Sequence, residues 1–362
     1  MTPNYRKIHN RFKLNGISYS KEELKEVSYS LVKEGNDEEL LIGDFLLDWL
    51  SEAPTLTVQT SGSTGKPKIL ELSKQAMVHS AIATGDFFGL SVGNSALLCL
   101  SAANIAGKMM LVRAMILGLE LTYVTPSSKP IKDNTTTYDF CAMVPLQAEN
   151  SVDTIDCIET LIIGGAPISP ELKKTFRSKK PRVFETYGMT ETITHIAAKR
   201  INGKDASLEQ VPFRVLPEVA ISKDKRNCLV ISAPHLTQEP VITNDIVILV
   251  SNSEFQWLGR YDNVINSGGV KLIPEQIEAK LSDLLSTRFF VAGVADPSLG
   301  HKLVLVLEGN TDTEKILSKI KASNKLTQYE IPKQIVSVNK FLETKTGKIQ
   351  RKQTLDSIKE LR

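Results

Sequence analysis

The stretch TVQTSGSTGKPKILELS, Thr57–Ser73, carries the densest group of residues able to grip an anion. Thr60, Ser61, Ser63 and Thr64 surround Gly62 and Gly65, and Lys66 and Lys68 follow. Glycines let backbone amides turn toward a ligand, hydroxyls donate hydrogen bonds and ammonium groups add charge, so the loop has the parts of a phosphate cradle. It is not a Walker A loop, which requires G-x-x-x-x-G-K-[ST]. Thr60 stands at the first glycine position, and Pro67 stands where the magnesium-binding hydroxyl would be. Proline is also excluded from the interior of the helix that such a loop begins. A Gly-Ser-Thr linker has the same composition. The strand-like alternation of Thr55–Gln59 just before the loop, and the paired lysines after it, favour phosphate.

The elements that must position this loop read as an α/β layered fold. Ser73 is placed to cap a helix through KQAMVHSAIATGDFFGL. Ala96–Ser101 reads as a buried strand, about Ala106 to Leu117 as a helix, and Leu119–Val124 as another strand. DFCAMVP and TLIIGGAP repeat the pattern of an apolar run ending in turn residues. Alternating strands and helices imply a largely parallel sheet, whose ligands gather where strands give way to loops. From Val211 the texture changes to short strands and turns, an antiparallel module, and Pro274 opens a helix in a further α+β segment.

Composition narrows the function classes. The 362 residues are 41% apolar and 23% charged, as in an ordinary globular protein of two or three domains. A net charge of +3, with no arginine-rich strip, argues against nucleic acid. Ala96–Val124, the most apolar region, is broken by Asn104, Lys108 and Arg113, so it reads as core and not as a membrane span. Cys99, Cys141, Cys157 and Cys228 form no C-x-x-C pair, and no histidine spacing resembles a metal cluster. Reduced thiols and a polar N-terminus without an apolar core segment lead us to expect a cytoplasmic protein. Asp262–Arg362 holds 16 Lys/Arg against 12 Asp/Glu. This basic segment reads either as a solvated surface or as a cationic lid over an anionic ligand.

Five stretches in order resemble the adenylate-forming superfamily of acyl-CoA and aryl-CoA ligases, luciferases and peptide-synthetase adenylation domains. They are TSGSTGKPK (Thr60–Lys68), ETYGMTET (Glu185–Thr192), TNDIVIL (Thr243–Leu249), LGRYDNVINSGGVKLIPEQIE (Leu258–Glu278) and TKTGKIQRK (Thr344–Lys352). Within that superfamily the short length and LSAANIAGKMMLVRA (Leu100–Ala114) are similar to the o-succinylbenzoate–CoA ligases of menaquinone synthesis. Fewer than sixty residues precede the phosphate loop, so much of the family's N-terminal subdomain is expected to be absent. The resemblance implies a large N-terminal domain over residues 1–259, a small mobile lid over 262–362, and a hinge near 260–262.

It also implies site roles. Thr60, Ser61, Gly62, Ser63, Thr64, Gly65 and Lys66 would hold the ATP phosphates, and Glu191 would ligate Mg2+, a hard cation that prefers oxygen donors. Thr190 would donate to the α-phosphate. Tyr187 and Gly188 would border the adenine, and Gly164, Gly165, Ala166 and Pro167 would let backbone approach the nucleotide. Asp245 would accept from the ribose, and Arg260 would fix ribose or phosphate. Lys348 is the expected adenylation lysine, a compact charge for the α-phosphate and the attacking carboxylate, with Lys345 and Lys352 as nearby competitors. Asp262 would be the hinge, and Gly268 and Gly269 would face the pantetheine arm of coenzyme A. For the acid, the family's aromatic-His motif corresponds to the segment from Asn104 to Lys108, and Lys108 or His195 would meet a second carboxylate; Lys108 also reads as a snorkelling helix lysine. The partners implied are a small carboxylic acid, ATP and coenzyme A, without stable membrane insertion and with homodimerisation open. Other acyl-CoA or aryl-CoA ligases, a carrier-protein-loading adenylation enzyme, and a non-catalytic nucleotide-binding relative are the alternatives.

Overall fold

The computed structural model describes residues 3–59, 69–203, 211–343 and 349–358. They fall into two compact units. One comprises Met1–Ile221, Ile231–Val241 and Val250–Phe255; the other comprises Ser222–Val230, Ile242–Leu249 and Gln256–Arg362.

The first unit opens with a hairpin of β1 (Lys13–Leu14) and β2 (Ile17–Ser18), followed by α1 (Lys21–Glu34) and α2 (Asp37–Leu50). Both helices start in capping boxes, Ser20 with Glu23 and Asn36 with Glu39, which satisfy amides that the first turn leaves free. Buried Glu38 accepts from the Ala102 amide at 2.6 Å and from Ser101 Oγ at 2.8 Å. The last turn of α2 has no basic residue of its own. Lys74, fully buried, supplies the charge from another helix: its Nζ donates to the Asp48, Trp49 and Ser51 carbonyls at 2.6, 3.2 and 3.1 Å. The carbonyls at a helix C-terminus are unpaired and carry partial negative charge, so a buried cation is stable there.

β3 (Thr55–Gln59) pairs antiparallel with β4 (Ile69–Ser73) as a separate two-stranded ribbon. Ser73 then caps α3 (Lys74–Phe88), accepting from the Ala76 amide at 3.3 Å. The strand at 55–59 and the cap at Ser73 follow the sequence pattern; the second strand of the ribbon has no counterpart in it. Next come β5 (Ser95–Leu98), α4 (Ile105–Leu117), β6 (Glu120–Tyr123), β7 (Tyr138–Met143), α5 (Pro145–Asn150), β8 (Ile158–Ile163), α6 (Pro170–Phe176), β9 (Arg182–Gly188), β10 (His195–Arg200) and β11 (Phe213–Val215). The strand order is β2-β1-β6-β5-β7-β8-β9-β10-β11. From β1 to β9 neighbouring strands are parallel; β10 and β11 run antiparallel.

Strands of a covered parallel sheet are apolar on both faces, and this is what the runs show: Phe140 to Met143 and Leu161 to Ile163 are all buried. Met109, Met110 and Leu111 of α4 are completely buried, so the apolar region around them is core. β5 lies between β6 and β7, so the chain leaves it in opposite directions. Such a switch point opens a crevice at the carboxyl ends of the strands.

The second unit holds most of β12 (Ala220–Lys223), β13 (Cys228–Ser232), β14 (Val241–Ser251) and β15 (Glu254–Arg260), in that order. Beyond them are β16 (Ile265–Ser267), β17 (Val270–Leu272), α7 (Pro274–Leu281), β18 (Phe289–Asp296), β19 (Gly300–Glu308), α8 (Thr313–Ala322), β20 (Gln334–Val338) and α9 (Arg351–Ser357). β19 alternates with period two. Leu303, Leu305 and Leu307 pack with Ile277, Leu281 and Ile320, while Val304 and Val306 pack with Phe290, Val336 and Phe341. Both faces of this sheet are therefore covered. A larger α/β part followed by a small α+β part is the class the sequence implies. All four cysteines are buried and unbridged. Among the described residues no helix is long and apolar enough to cross a membrane.

Replacing Lys74 with Met should take a charged donor from the Asp48, Trp49 and Ser51 carbonyls. We expect a loss of about 2–3 kcal/mol, the range for hydrogen bonds to charged groups, read as a lower urea midpoint at unchanged slope.

Candidate active site

Thr60, Ser61, Gly62, Ser63, Thr64, Gly65, Lys66, Lys345 and Lys348 lie outside the described residues. Most other candidates of the first unit stand at the carboxyl edge of its sheet. Asn104, exposed, stands just after β5 at the start of α4. Gly164–Pro167 follow β8, Gly188 ends β9, and Met189 to Glu191 follow it. β8 and β9 are parallel neighbours with Ile163 opposite Glu185, so their loops leave side by side. A Cβ on Gly164 would lie 2.5 Å from Thr186 Oγ1, and Gly165 has φ +85°. Only glycine satisfies this close approach and left-handed turn together.

The loop after β9 is wound tightly. Gly188 pairs with His195, and a Cβ there would overlap the backbone of Thr194 and His195. Thr192, fully buried, accepts from the Met189 amide at 3.2 Å, with its own hydroxyl within 2.9 Å of the Thr194 carbonyl and 3.0 Å of the Met189 carbonyl. Ile193 sits at φ 67°, a costly conformation for a β-branched residue. Glu191 is exposed and makes no ion pair or hydrogen bond among the described residues. A free carboxylate on a braced turn suits a hard divalent cation, so the fit of Mg2+ to Glu191 is chemically sound. The Tyr187 ring lies 5.2 Å from Phe255 and 5.8 Å from Phe213, an aromatic wall beside the turn.

Within β9, Glu185 is buried between Lys173 Nζ at 2.9 Å and Lys199 Nζ at 3.1 Å. Burial pushes its carboxyl up, but the two ammonium groups outweigh it and hold the pKa below the usual range. The pairs join α6, β9 and β10 two residues before Tyr187 in the chain.

His195 is buried beside Arg113, which the sequence showed only as a break in an apolar run. Arg113 Nε donates to Thr84 Oγ1 at 3.3 Å, and an NH2 group lies 3.4 Å from Thr194 Oγ1 and 3.5 Å from His195 Nδ1. A guanidinium only donates, so Nδ1 accepts and the His195 proton rests on Nε2, 3.4 Å from Thr84 Oγ1. Thr84 in turn donates to the Ser80 carbonyl at 2.8 Å. Burial, then Arg113, pushes the His195 pKa well below its ordinary value, so the ring is neutral. Burial pushes Arg113 down to about 9, still charged at neutral pH. Among the described residues no carboxylate pairs with it. Lys108 is turned elsewhere: its Nζ lies 5.1 Å from the Phe45 ring centroid, near Asp44 and Asp48. His195 also lines a small open cleft with His79, Leu216, Glu218, His235 and Leu236.

In the second unit, three sequence candidates form one polar cluster. Buried Asp245 accepts from Trp257 Nε1 at 3.0 Å and lies 3.6 Å from Arg260. Arg260 bonds Asp262 at 3.2 Å, which also accepts from Asn244 at 3.2 Å. Trp257 and Asn244 were not singled out in the sequence; the aromatic residue in WLGRYDN was the available sign. Gly268 and Gly269, at φ +58° and +83°, make the two-residue turn between β16 and β17. Two consecutive left-handed residues match the twist of a hairpin, and glycine adopts them freely.

Residues 46–223 match the family described as AMP-binding enzyme. An acyl-CoA synthetase (AMP-forming)/AMP-acid ligase II-like protein from Dyadobacter fermentans is 36% identical, with a TM-score of 0.61 over 92% of this chain and 97% of that one. The chain belongs to the AMP-binding enzyme family. It is therefore an adenylate-forming enzyme, of the ATP-dependent acid–thiol ligase type. A 2-succinylbenzoate–CoA ligase of Listeria monocytogenes is 26% identical and aligns with 93% of this chain and 74% of its own length. The o-succinylbenzoate CoA synthetase of Bacillus subtilis in complex with its acyl-adenylate intermediate is 19% identical, with a TM-score of 0.73 over 94% of this AMP-binding enzyme and 81% of that structure. That last likeness is one of fold.

Thr192→Val keeps the shape of the family member's braced turn and removes its hydroxyl. We expect a stability loss of about 1–2 kcal/mol from the unsatisfied groups, together with about tenfold slower ATP–pyrophosphate exchange as Thr190 and Glu191 lose their support.

Proposed function

We propose that this enzyme activates o-succinylbenzoate with ATP and transfers it to coenzyme A, a step of menaquinone biosynthesis in the cytoplasm. The observation that carries the reading is Arg113, a buried guanidinium beside neutral His195 with no carboxylate partner among the described residues. A buried charge without a counter-ion is costly, and a ligand anion relieves that cost. o-Succinylbenzoate has two carboxylates. One is consumed in activation and the other is left to be recognised. Arg113 takes the recognition role over Lys108, whose ammonium group already lies over Phe45. The several 2-succinylbenzoate–CoA ligases among the relatives support the same choice of acid.

In the first half-reaction a carboxylate oxygen attacks the α-phosphorus of ATP, and pyrophosphate leaves as the acyl-adenylate forms. Two anions must meet, so most of the rate comes from positioning and charge stabilisation. The loop from Thr60 to Lys66 would hold the phosphates, Thr190 would donate to the α-phosphate, and Lys348 would bridge it and the incoming carboxylate. Glu191 would hold Mg2+, which neutralises phosphate charge when bound. Gly164 and Gly165 would admit the nucleotide backbone-close, Tyr187 would border the base, and Asp245 with Arg260 would take the ribose. In the second half-reaction the coenzyme A thiol attacks the acyl carbonyl and AMP leaves. Asp262 would be the pivot between the steps, with the Gly268–Gly269 turn offering backbone to the pantetheine arm.

The test is ATP–pyrophosphate exchange over a panel of acids with coenzyme A consumption followed in parallel. We expect o-succinylbenzoate to exceed benzoate and other monoacids, and free coenzyme A to be consumed. In Arg113→Met we expect KM for o-succinylbenzoate to rise about thirtyfold, the weight of a charge-assisted bond, with benzoate barely changed. An equal effect on both acids would remove the recognition role.

Lys348→Ala should separate the half-reactions. We expect acyl-adenylate formation to fall by at least about a thousandfold, as when a transition-state charge contact is lost. Thiolysis of supplied acyl-adenylate should be preserved.

A further inference from the structure

Outside the adenylation machinery, three donors from distant parts of the sequence meet on the first unit. His79 projects from α3, Glu218 from the turn after β11, and His235 from the turn after β13. Their ligand atoms all lie within 4.8 Å of one another. His235 Nε2 is 3.7 Å from Glu218 Oε2, and the two imidazoles stack with centroids 4.8 Å apart and planes at 21°. Each donor is held by local structure. His79 is partly buried in mid-helix. Glu218 occupies a turn at φ 63° closed by the Val219 amide to the Leu216 carbonyl at 3.4 Å. His235 lies in a helical turn in which the Leu236 and Thr237 amides both donate to the Ala233 carbonyl, at 2.8 and 2.9 Å.

We propose that His79, Glu218 and His235 form a binding site for a borderline divalent cation of the Zn2+ class. Two imidazoles and one carboxylate are the donor set such ions prefer, and three protein ligands leave a position for water. A neutral imidazole binds metal through the nitrogen that carries no proton. Tetrahedral ligands about 2.0–2.1 Å from zinc stand about 3.3 Å apart, so binding requires the three donors to draw closer. Mg2+ is not the occupant, because it demands oxygen donors and octahedral geometry. The site shares its cleft with His195, yet uses none of the residues assigned to ATP or the acid.

The experiment is calorimetric titration of the full-length, untagged, chelator-treated chain with ZnCl2 in the absence of ATP. We expect about one equivalent bound in wild type, undisturbed by millimolar Mg2+. His79→Ala and His235→Asn should each weaken it by at least about a hundredfold, and Glu218→Gln by about tenfold. His9→Ala and His301→Ala, the two histidines placed in neither cluster, should leave it unchanged. Co2+ should bind in the same place with the strong visible absorption of a tetrahedral complex. Far-UV circular dichroism confirms that each variant is folded, and His235, half exposed, is the replacement that folding tolerates most easily. Absence of stoichiometric Zn2+ binding in wild type, retention of it in both folded histidine variants, or its loss in His9→Ala or His301→Ala would each overturn the site. ATP–pyrophosphate exchange, measured separately, reports on the adenylation reading alone.

Discussion

The carboxyl edge of the first unit's sheet rests on one buried carboxylate. Glu185, held by Lys173 and Lys199, pins α6 and β10 to β9. The position is demanding, since removing one partner from a buried pair leaves an uncompensated charge. Two lysines for one carboxylate give the cluster a net positive sign two residues before Tyr187 in the chain. That sign suits a site whose ligand is a polyphosphate. The parallel register then does the rest: with Ile163 opposite Glu185, the loops after β8 and β9 are held side by side and cannot slip independently.

A second constraint runs through the helices. α2 reaches the start of α4 through Glu38, and α3 reaches the end of α2 through Lys74. Both are buried charged side chains that bond chiefly to backbone groups. They orient the helices that carry Asn104, Thr84 and Arg113. The polar chain Arg113–His195–Thr84–Ser80 is consistent in one direction only, since the guanidinium cannot accept. The tautomer of a histidine is thus fixed by an arginine on a different element.

The strands and helices that follow local rules were legible in the sequence. Ser73 announces α3, Pro274 announces α7, and the apolar runs at 138–143 and 158–163 are the parallel strands. The N-terminal helices were missed although Ser20–Glu23 and Asn36–Glu39 carry the capping-box spacing. The candidates after β8 and β9 came from the resemblance, and of them Gly164, Gly165 and Gly188 also answer to a local backbone demand. Arg113 was not legible. Within LVRAMIL it is an interruption, and nothing in its neighbours tells burial without a counter-ion from ordinary exposure. His79, Glu218 and His235 are invisible for another reason. They are far apart along the chain, and linear spacing identifies ligands only when a single element carries them. The lid division and the hinge at Asp262 concern motion, for which sequence pattern offers only the resemblance.

The left-handed backbone at Ile193 has a consequence of its own. Such a residue stores on the order of 1–3 kcal/mol, and the Thr192 hydroxyl and the Gly188–His195 pairing are what keep it wound. Strain and latch sit on adjacent residues. Loss of that latch would release stored strain in the very turn that carries Thr190 and Glu191.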